Sequence, residues 1–271
     1  MNRITELPDG HSVLRVPAFT DNYLWLILDR EGRALAVDPG AAEPIEQALQ
    51  ELGLRLHAIL ITHHHPDHVG GVQALRQRHP VPVFGPKDPR LATLVDRPVG
   101  EGDRVVLADA GIDFEVWQLP GHTASHLAYL GHGAAFVGDT LFSCGCGRLF
   151  EGSPEQMLHS LDRLAALPGA TLVFCAHEYT RSNAEFARHF DPHNRALALA
   201  HQRAVELAPG SSTVPTSIAQ ELAINPFLRC EQESIREHLA QDLGRALESR
   251  LAAFTALRAL KDSYVPGAKT R

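Results

Sequence analysis

Short apolar runs separated by turn residues fill the first two thirds of the chain. Runs rich in β-branched and aromatic residues predict eight strands, at 22–29, 34–38, 58–62, 81–85, 112–119, 126–130, 134–139 and 171–177. Helical spacing of apolar residues predicts helices at 43–53, 70–79 and 154–167, the first and third with a proline in the first turn. This alternation predicts a layered α/β fold.

After residue 180 the strand pattern gives way to sequence rich in Ala, Leu, Glu and Arg. It predicts helices at 181–190, 194–208, 216–223 and 231–261. The segment PGSSTVP, residues 209–215, predicts a loop inside this helical part. We therefore expect two domains, an α/β domain over residues 1–178 and a small C-terminal α-helical domain over 179–271.

Composition narrows the class of protein. The chain has 271 residues, of which 44% are hydrophobic and 21% charged, and no apolar run approaches the roughly 20 residues of a membrane span. A net charge of -7 disfavours nucleic acid as a partner. The four cysteines form no C-x-x-C pair, and the first ten residues lack an export signal. We expect a soluble cytoplasmic protein that binds neither membrane nor nucleic acid.

A histidine-rich segment follows the third predicted strand. Residues 62–71 read THHHPDHVGG and place four ligand-type side chains within six positions: His63, His65, Asp67 and His68. Residues two apart in an extended segment point the same way, so the first two histidines face one ion. Pro66 bends the chain and directs the last two side chains to a second ion. The two closing glycines permit a tight turn into the next helix.

Three further ligand candidates each follow a predicted strand: His122, Asp139 and His177. With the first four they make five histidines and two aspartates. This set suffices for two first-row divalent ions that share one carboxylate and leave a position open for water. Such a set accepts zinc, iron or manganese, and we expect zinc.

The histidine motif, followed by a later His, Asp and His, resembles the metallo-β-lactamase superfamily. Within it, segments from both predicted domains resemble the glyoxalase II family: FTDNYLW (19–25), VDPG (37–40), GDTLFSCGCGRLFEG (138–152), HEYT (177–180), NPFLR (225–229) and RALKD (258–262). The resemblance implies a four-layer αββα sandwich followed by a C-terminal helical domain. It also assigns the ligands: His63, His65 and His122 to one ion, Asp67, His68 and His177 to the other, and Asp139 as the bridge.

The same resemblance implies an activity and a substrate. The family hydrolyses the thioester S-D-lactoylglutathione to glutathione and D-lactate, with Asp67, His68 and Asp139 at the reacting centre. Two divalent ions roughly 3.5 to 4 Å apart activate water for such a hydrolysis. A thiolate leaving group, with an ordinary pKa of ~8.5, needs no general acid. The resemblance further implies that four residues contact glutathione: Arg148, Tyr179, Arg258 and Lys261. We expect the protein to be a monomer.

One residue departs from the family pattern, and two others have alternative roles. Phe150 stands where other members have a tyrosine that hydrogen-bonds glutathione. Arg258 and Lys261 lie three apart on a predicted helix, and we expect both charges to be accessible before substrate binds. Asp38 and His126 either orient metal ligands or serve as ordinary capping and core groups.

Other functions compete with thioester hydrolysis. One alternative is a persulfide dioxygenase-like enzyme with a single iron, which the second set of ligands disfavours. A β-lactamase or lactonase would share the metal chemistry but leave the helical domain unexplained. A third is a non-catalytic metal-binding module. A nucleophilic cysteine is disfavoured, because Cys175 lies in no recognisable catalytic signature.

Overall fold

Residues 4–265 are described by a computed structural model, and two β-sheets organise them. The first sheet has seven strands that lie side by side in chain order. They are β1 (Ile4–Glu6), β2 (Ser12–Ala18), β3 (Asn22–Leu28), β4 (Arg33–Val37), β5 (Arg55–Leu60), β6 (Val83–Pro86) and β7 (Arg97–Val99). The first four strands pair antiparallel, and the last four pair parallel.

The second sheet has six strands, and its spatial order is β15-β14-β11-β10-β9-β8. Their bounds are β8 (Arg104–Leu107), β9 (Ile112–Gln118), β10 (Leu127–Gly131), β11 (Ala134–Gly138), β14 (Leu172–Cys175) and β15 (Thr216–Ser217). A short antiparallel pair, β12 (Leu141–Phe142) and β13 (Gly145–Cys146), lies beside it. Because β9, β11 and β14 run in the same direction, their carboxyl ends meet at one edge.

Nine α-helices complete the described chain. They are α1 (Ala42–Leu52), α2 (Pro66–Val69), α3 (Val72–Arg78), α4 (Pro154–Ala165), α5 (Thr180–Phe190), α6 (Arg195–Val205), α7 (Ile218–Ile224), α8 (Glu233–Leu243) and α9 (Arg250–Ser263). Helix α4 begins with Pro154 behind a capping box, in which Ser153 and Gln156 exchange side-chain and main-chain hydrogen bonds. Within residues 4–265, none of these helices has the length and apolar character needed to cross a membrane.

Alternate residues of β3 face two different cores. Tyr23, Trp25 and Ile27 belong to the apolar cluster between the sheets, together with Phe136 and Phe174 of the second sheet. The residues between them pack outward with α1 and α3 in a second cluster. This arrangement, with α4 on the other side, confirms the predicted αββα sandwich and the helical region that follows it.

The C-terminal part differs from its prediction in two places. The predicted helix 231–261 is two helices, because Gly244 adopts a left-handed conformation that ends α8 and Ser249 caps the start of α9. Residues 216–217 form the edge strand β15 rather than the start of a helix, and Ser217 then caps α7. The predicted loop 209–215 contains no helix or strand.

Candidate metal centre

The predicted ligands lie where strands from both sheets end. The segment 62–68 follows β5 of the first sheet, while His122, Asp139 and His177 follow β9, β11 and β14 of the second. The sheets are tied together beside the site by a hydrogen bond from the Leu127 N–H to the Thr62 carbonyl, at 2.8 Å. Opposed strand ends thus bring residues that are distant in sequence to one place.

The local conformation of the histidine-rich segment matches its prediction, but its two glycines are needed for a different reason than predicted. His65 is extended, and Pro66 begins α2. The following Gly70 and Gly71 have ordinary helical backbone angles, so a left-handed turn is not why they are glycines. A Cβ on Gly71 would instead lie 2.5 Å from the main chain of Ala41. Close backbone packing is therefore what these two positions require.

Three imidazole nitrogens converge in the first cluster. The Nδ1 atom of His65 lies 3.0 Å from Nε2 of His63 and 3.0 Å from Nε2 of His122. Two nitrogens bound to one tetrahedral zinc are roughly 3.3 Å apart, given zinc to nitrogen distances of 2.0 to 2.1 Å. His63 and His122 are buried, whereas His65 is partly open to the cavity.

The second cluster contains Asp67, His68 and His177. The Oδ2 atom of Asp67 lies 3.5 Å from Nε2 of His68 and 3.4 Å from Nε2 of His177. Asp139 lies between the two clusters. Its Oδ2 is 3.4 Å from Nε2 of His122 and 3.5 Å from Nε2 of His177, and its Oδ1 is 3.5 Å from Nε2 of His68.

Hydrogen bonds on the outer ring nitrogens fix the histidine tautomers. His122 donates from Nδ1 to the Arg148 carbonyl at 2.8 Å, and His177 donates from Nδ1 to Asp21 at 2.9 Å. His68 donates from Nδ1 to Asp38 at 3.0 Å. When each ring is neutral, its Nε2 atom has a free lone pair directed at the cluster, as a metal ligand requires.

Asp38 also acts on the first cluster through Thr62. The Thr62 hydroxyl donates to Asp38 at 2.6 Å, so it accepts from Nδ1 of His63 at 3.0 Å. Of the two open possibilities at Asp38, the structure therefore favours the orientation of ligands. His126 serves differently, because its Nε2 accepts a hydrogen bond from the Asp139 main-chain N–H at 3.1 Å.

Sequence reasoning missed Asp21, Asn22 and Thr62. Asn22 donates to Oδ2 of Asp67 at 2.9 Å and thereby orients a predicted ligand. The only sequence signal was their membership in the segments FTDNYLW and THHHPDHVGG, because their contacts to the ligands form through the tertiary fold.

The two clusters differ in their electrostatics. Burial lowers the pKa of His63 well below its ordinary value, and burial followed by the charge of His122 lowers the pKa of His65 to about 4. Burial also opposes protonation of His177, but Asp139 and its neighbouring carboxylates raise that pKa to about 11. The first cluster is thus neutral and ready to bind, whereas metal binding at the second competes with protons.

Two buried atoms at the centre, Nε2 of His68 and Oδ1 of Asp139, have no hydrogen-bond partner among residues 4–265. Unpaired buried polar atoms are costly and therefore rare. Both face the space between the clusters, where a cation would satisfy them. The donor set, five imidazoles and two carboxylates, also suits first-row divalent ions. The residues present therefore fit a metal centre.

A cavity of about 590 Å³ opens onto the centre. Its lining includes candidate ligands from both clusters and two cations from α9. All four predicted substrate-binding residues line it: Arg148, Tyr179, Arg258 and Lys261. Phe150 also lines it, with 61% of its surface exposed and its ring 5.3 Å from the ring of His122.

The three cationic side chains that line the cavity differ in how far they are exposed to solvent. Arg258 is only 6% exposed, so the expectation that its charge is freely accessible is wrong. Its guanidinium donates to the Cys146 carbonyl at 2.8 Å and to Asp262 at 2.9 Å. Lys261 donates to the carbonyl and the hydroxyl of Ser182, at 3.2 and 3.0 Å. Arg148 retains 52% side-chain exposure.

Two family models cover nearly all of the described chain. The model of the metallo-β-lactamase superfamily matches residues 20–177, and that of the hydroxyacylglutathione hydrolase C-terminus matches 178–264. The chain therefore belongs to the metallo-β-lactamase superfamily and, within it, to the hydroxyacylglutathione hydrolase family. This confirms the family resemblance drawn from the sequence, since glyoxalase II is the same family.

Individual relatives agree with the family models. A hydroxyacylglutathione hydrolase of Xanthomonas axonopodis pv. citri is 49% identical over 93% of this chain and 98% of its own length. That of Cupriavidus metallidurans is 50% identical over 92% and 97%. Among solved structures, ETHE1 from Myxococcus xanthus has a TM-score of 0.59, with 29% identity over 89% of this chain and 94% of that one. TTHA1623, solved in a di-iron-bound form, has a TM-score of 0.53 and 27% identity over 84% and 100%.

Proposed function

We propose that this chain hydrolyses the thioester S-D-lactoylglutathione to glutathione and D-lactate, using two divalent metal ions. One observation carries the proposal: a single cavity is lined both by members of the two candidate metal clusters and by Arg258 and Lys261. A thioester of an anionic tripeptide suits such a cavity, with its reacting carbonyl at the clusters and its carboxylates near the cations. The name of the relatives, hydroxyacylglutathione hydrolase, supports this substrate.

In this proposal zinc is the expected metal, with iron or manganese as substitutes. The separations within and between the clusters support one ligand assignment: His63, His65 and His122 for one ion, Asp67, His68 and His177 for the other, and Asp139 for both. The solved di-iron form of a structural neighbour supports a count of two. When bound, the ions would lower the pKa of a water molecule and polarise the thioester carbonyl.

Residues of the chain would position the substrate, and the Tyr179 hydroxyl would keep its proton. The ring of Tyr179 stacks on that of His177 at 4.7 Å, which fixes the phenol on the cavity wall. Burial, followed by the charge of Asp21, raises the pKa of Tyr179, so its hydroxyl stays protonated and able to donate. Burial likewise raises the pKa of the Cys175 thiol, which argues against a cysteine nucleophile.

We also propose that the chain acts as a monomer in the cytoplasm, with a catalytic part over 1–178 and a glutathione-binding part over 179–271. Every residue assigned to the site comes from one chain, so no partner is needed to complete it. All four cysteines are free thiols, as in a reducing compartment.

The test compares three substrates on the same metal-loaded sample: S-D-lactoylglutathione, a simple β-lactam and glutathione persulfide. We expect rapid release of glutathione from the thioester alone, with two ions measured per chain. Preferential oxidation of the persulfide, with one iron per chain, would support the dioxygenase alternative. Absence of turnover on all three would support a non-catalytic metal-binding protein.

A further inference from the structure

One carboxylate, Asp262, holds two arginines that line the cavity. It lies on α9, one turn after Arg258, and its Oδ1 accepts from Nη2 and Nε of that residue at 2.9 and 3.2 Å. The same Oδ1 accepts from Nε of Arg148 at 3.2 Å, and the main-chain oxygen of Asp262 accepts from Nη2 of Arg148 at 3.0 Å. Asp262 thus joins the loop after β13 to the C-terminal helix.

The shared carboxylate allows two like charges to lie side by side. Without it, the guanidinium groups of Arg148 and Arg258 would repel each other, and the half-exposed Arg148 would be free to turn to solvent. Lys261 is the neighbour of Asp262 in the chain and adds a third cation on the cavity wall. Arg148, Arg258 and Lys261 thus supply three cations beside the one carboxylate of Asp262, and this arrangement suits a ligand with carboxylates.

We propose that Asp262 is a positioning residue that assembles the carboxylate-binding end of the cavity by holding Arg148 and Arg258 in place. The ligand class is an anionic peptide joined through sulfur to an acyl group, so the inference rests on the proposed function. Asp262 pairs with the side chains of Arg148 and Arg258, which line the cavity, and acts through these two arginines. It therefore affects substrate affinity and leaves the chemical step unchanged.

The test variant is Asp262→Asn in the full-length, metal-loaded protein. Loss of one well-placed charge-assisted contact corresponds to about tenfold in affinity. We expect KM for S-D-lactoylglutathione to rise about tenfold while kcat changes less than about twofold. Asp262→Glu, which keeps the carboxylate, should recover part of the loss. Because Asp262 acts through Arg148, Arg148→Gln combined with Asp262→Asn should cost less than the sum of the two single changes.

The matched control is Asp242→Asn. Asp242 lies on α8 with the same 36% side-chain exposure as Asp262, and it pairs with His189 away from the cavity. This control should leave KM unchanged. A small thioester without the tripeptide should be hydrolysed with equal efficiency by the wild type, Asp242→Asn and Asp262→Asn.

Several results would overturn the inference. A lower KM in Asp262→Asn would mean that the carboxylate competes with substrate. An unchanged KM, an equal loss on the small thioester, or a loss of bound metal would each exclude a positioning role. Binding of a non-hydrolysable S-alkylglutathione thioether, measured by calorimetry, separates this inference from the proposed function. If the wild type binds the thioether in an Asp262-dependent way yet cleaves no thioester, the hydrolase proposal fails and the role of Asp262 stands.

Discussion

Asp38 accepts three hydrogen bonds beneath the metal centre, and its replacement by asparagine tests whether those bonds control the ligands. The Thr62 N–H and hydroxyl donate at 2.7 and 2.6 Å, and Nδ1 of His68 donates at 3.0 Å. Asparagine has nearly the same shape, and it tolerates the positive φ of 49° found at this position. The substitution therefore changes hydrogen bonding with little change in packing.

The expected loss of metal affinity follows from the count of hydrogen-bond donors and acceptors around residue 38. If the amide oxygen of Asn keeps the Thr62 N–H, its NH₂ group faces Nδ1 of His68, and two donors oppose each other. His68 then moves its proton to Nε2, the atom that faces Asp67 and Asp139 at 3.5 Å. A mutation in such an outer partner costs about 10- to 100-fold in metal affinity, or about 1.4 to 2.7 kcal/mol.

The assay is competition between the protein and a chromophoric chelator for zinc, with metal content measured after dialysis. Asp29→Asn is the matched control. Asp29 is also nearly buried and accepts main-chain hydrogen bonds from residues 31 and 33, but in the turn between β3 and β4. The Asp29→Asn variant should lose stability and keep wild-type metal affinity. If Asp38→Asn binds zinc within twofold of wild type, the tautomer argument is refuted.

Three further predictions concern other parts of the site. Burial and then the charge of Arg258 lower the pKa of Lys261 to about 8, so the ammonium group loses its charge as the pH rises through 8. KM for the glutathione thioester should therefore rise in this pH range, and it should rise less in Lys261→Arg. Asp139→Ala should lose or scramble both ions, which metal analysis checks; two tightly bound ions would refute the bridge. A triple serine variant at Cys144, Cys146 and Cys175 should keep wild-type kcat if it stays folded and metal-loaded.

The sequence predicted strands such as β3 and β11 because each is a continuous apolar run buried on both faces. It missed the seven-residue β2, where Arg15 and Pro17 interrupt the apolar run, and the edge strands β7 and β15, which have only three and two residues. The break between α8 and α9 was also missed, although Gly244 and Ser249 mark it, because the surrounding composition is uniformly helix-forming.

At the site, a local motif and the strand ends sufficed to predict seven candidate ligands, and the structure brings their side chains together. The residues that orient them could not be ranked from the sequence, because their role depends on tertiary contacts. Asp38 and His68 are 30 positions apart, and Asp21 and His177 are 156 apart. The buried state of Arg258 was likewise hidden, since helical spacing specifies a face and does not show what packs against it.

The most direct test of the account is the rate of S-D-lactoylglutathione hydrolysis as zinc is added back to metal-free protein, with bound ions counted at each step. If both clusters act together, the rate should reach its maximum at two ions per chain. A maximum at one ion per chain, or no hydrolysis with two ions bound, would contradict the proposal of a two-metal thioester hydrolase.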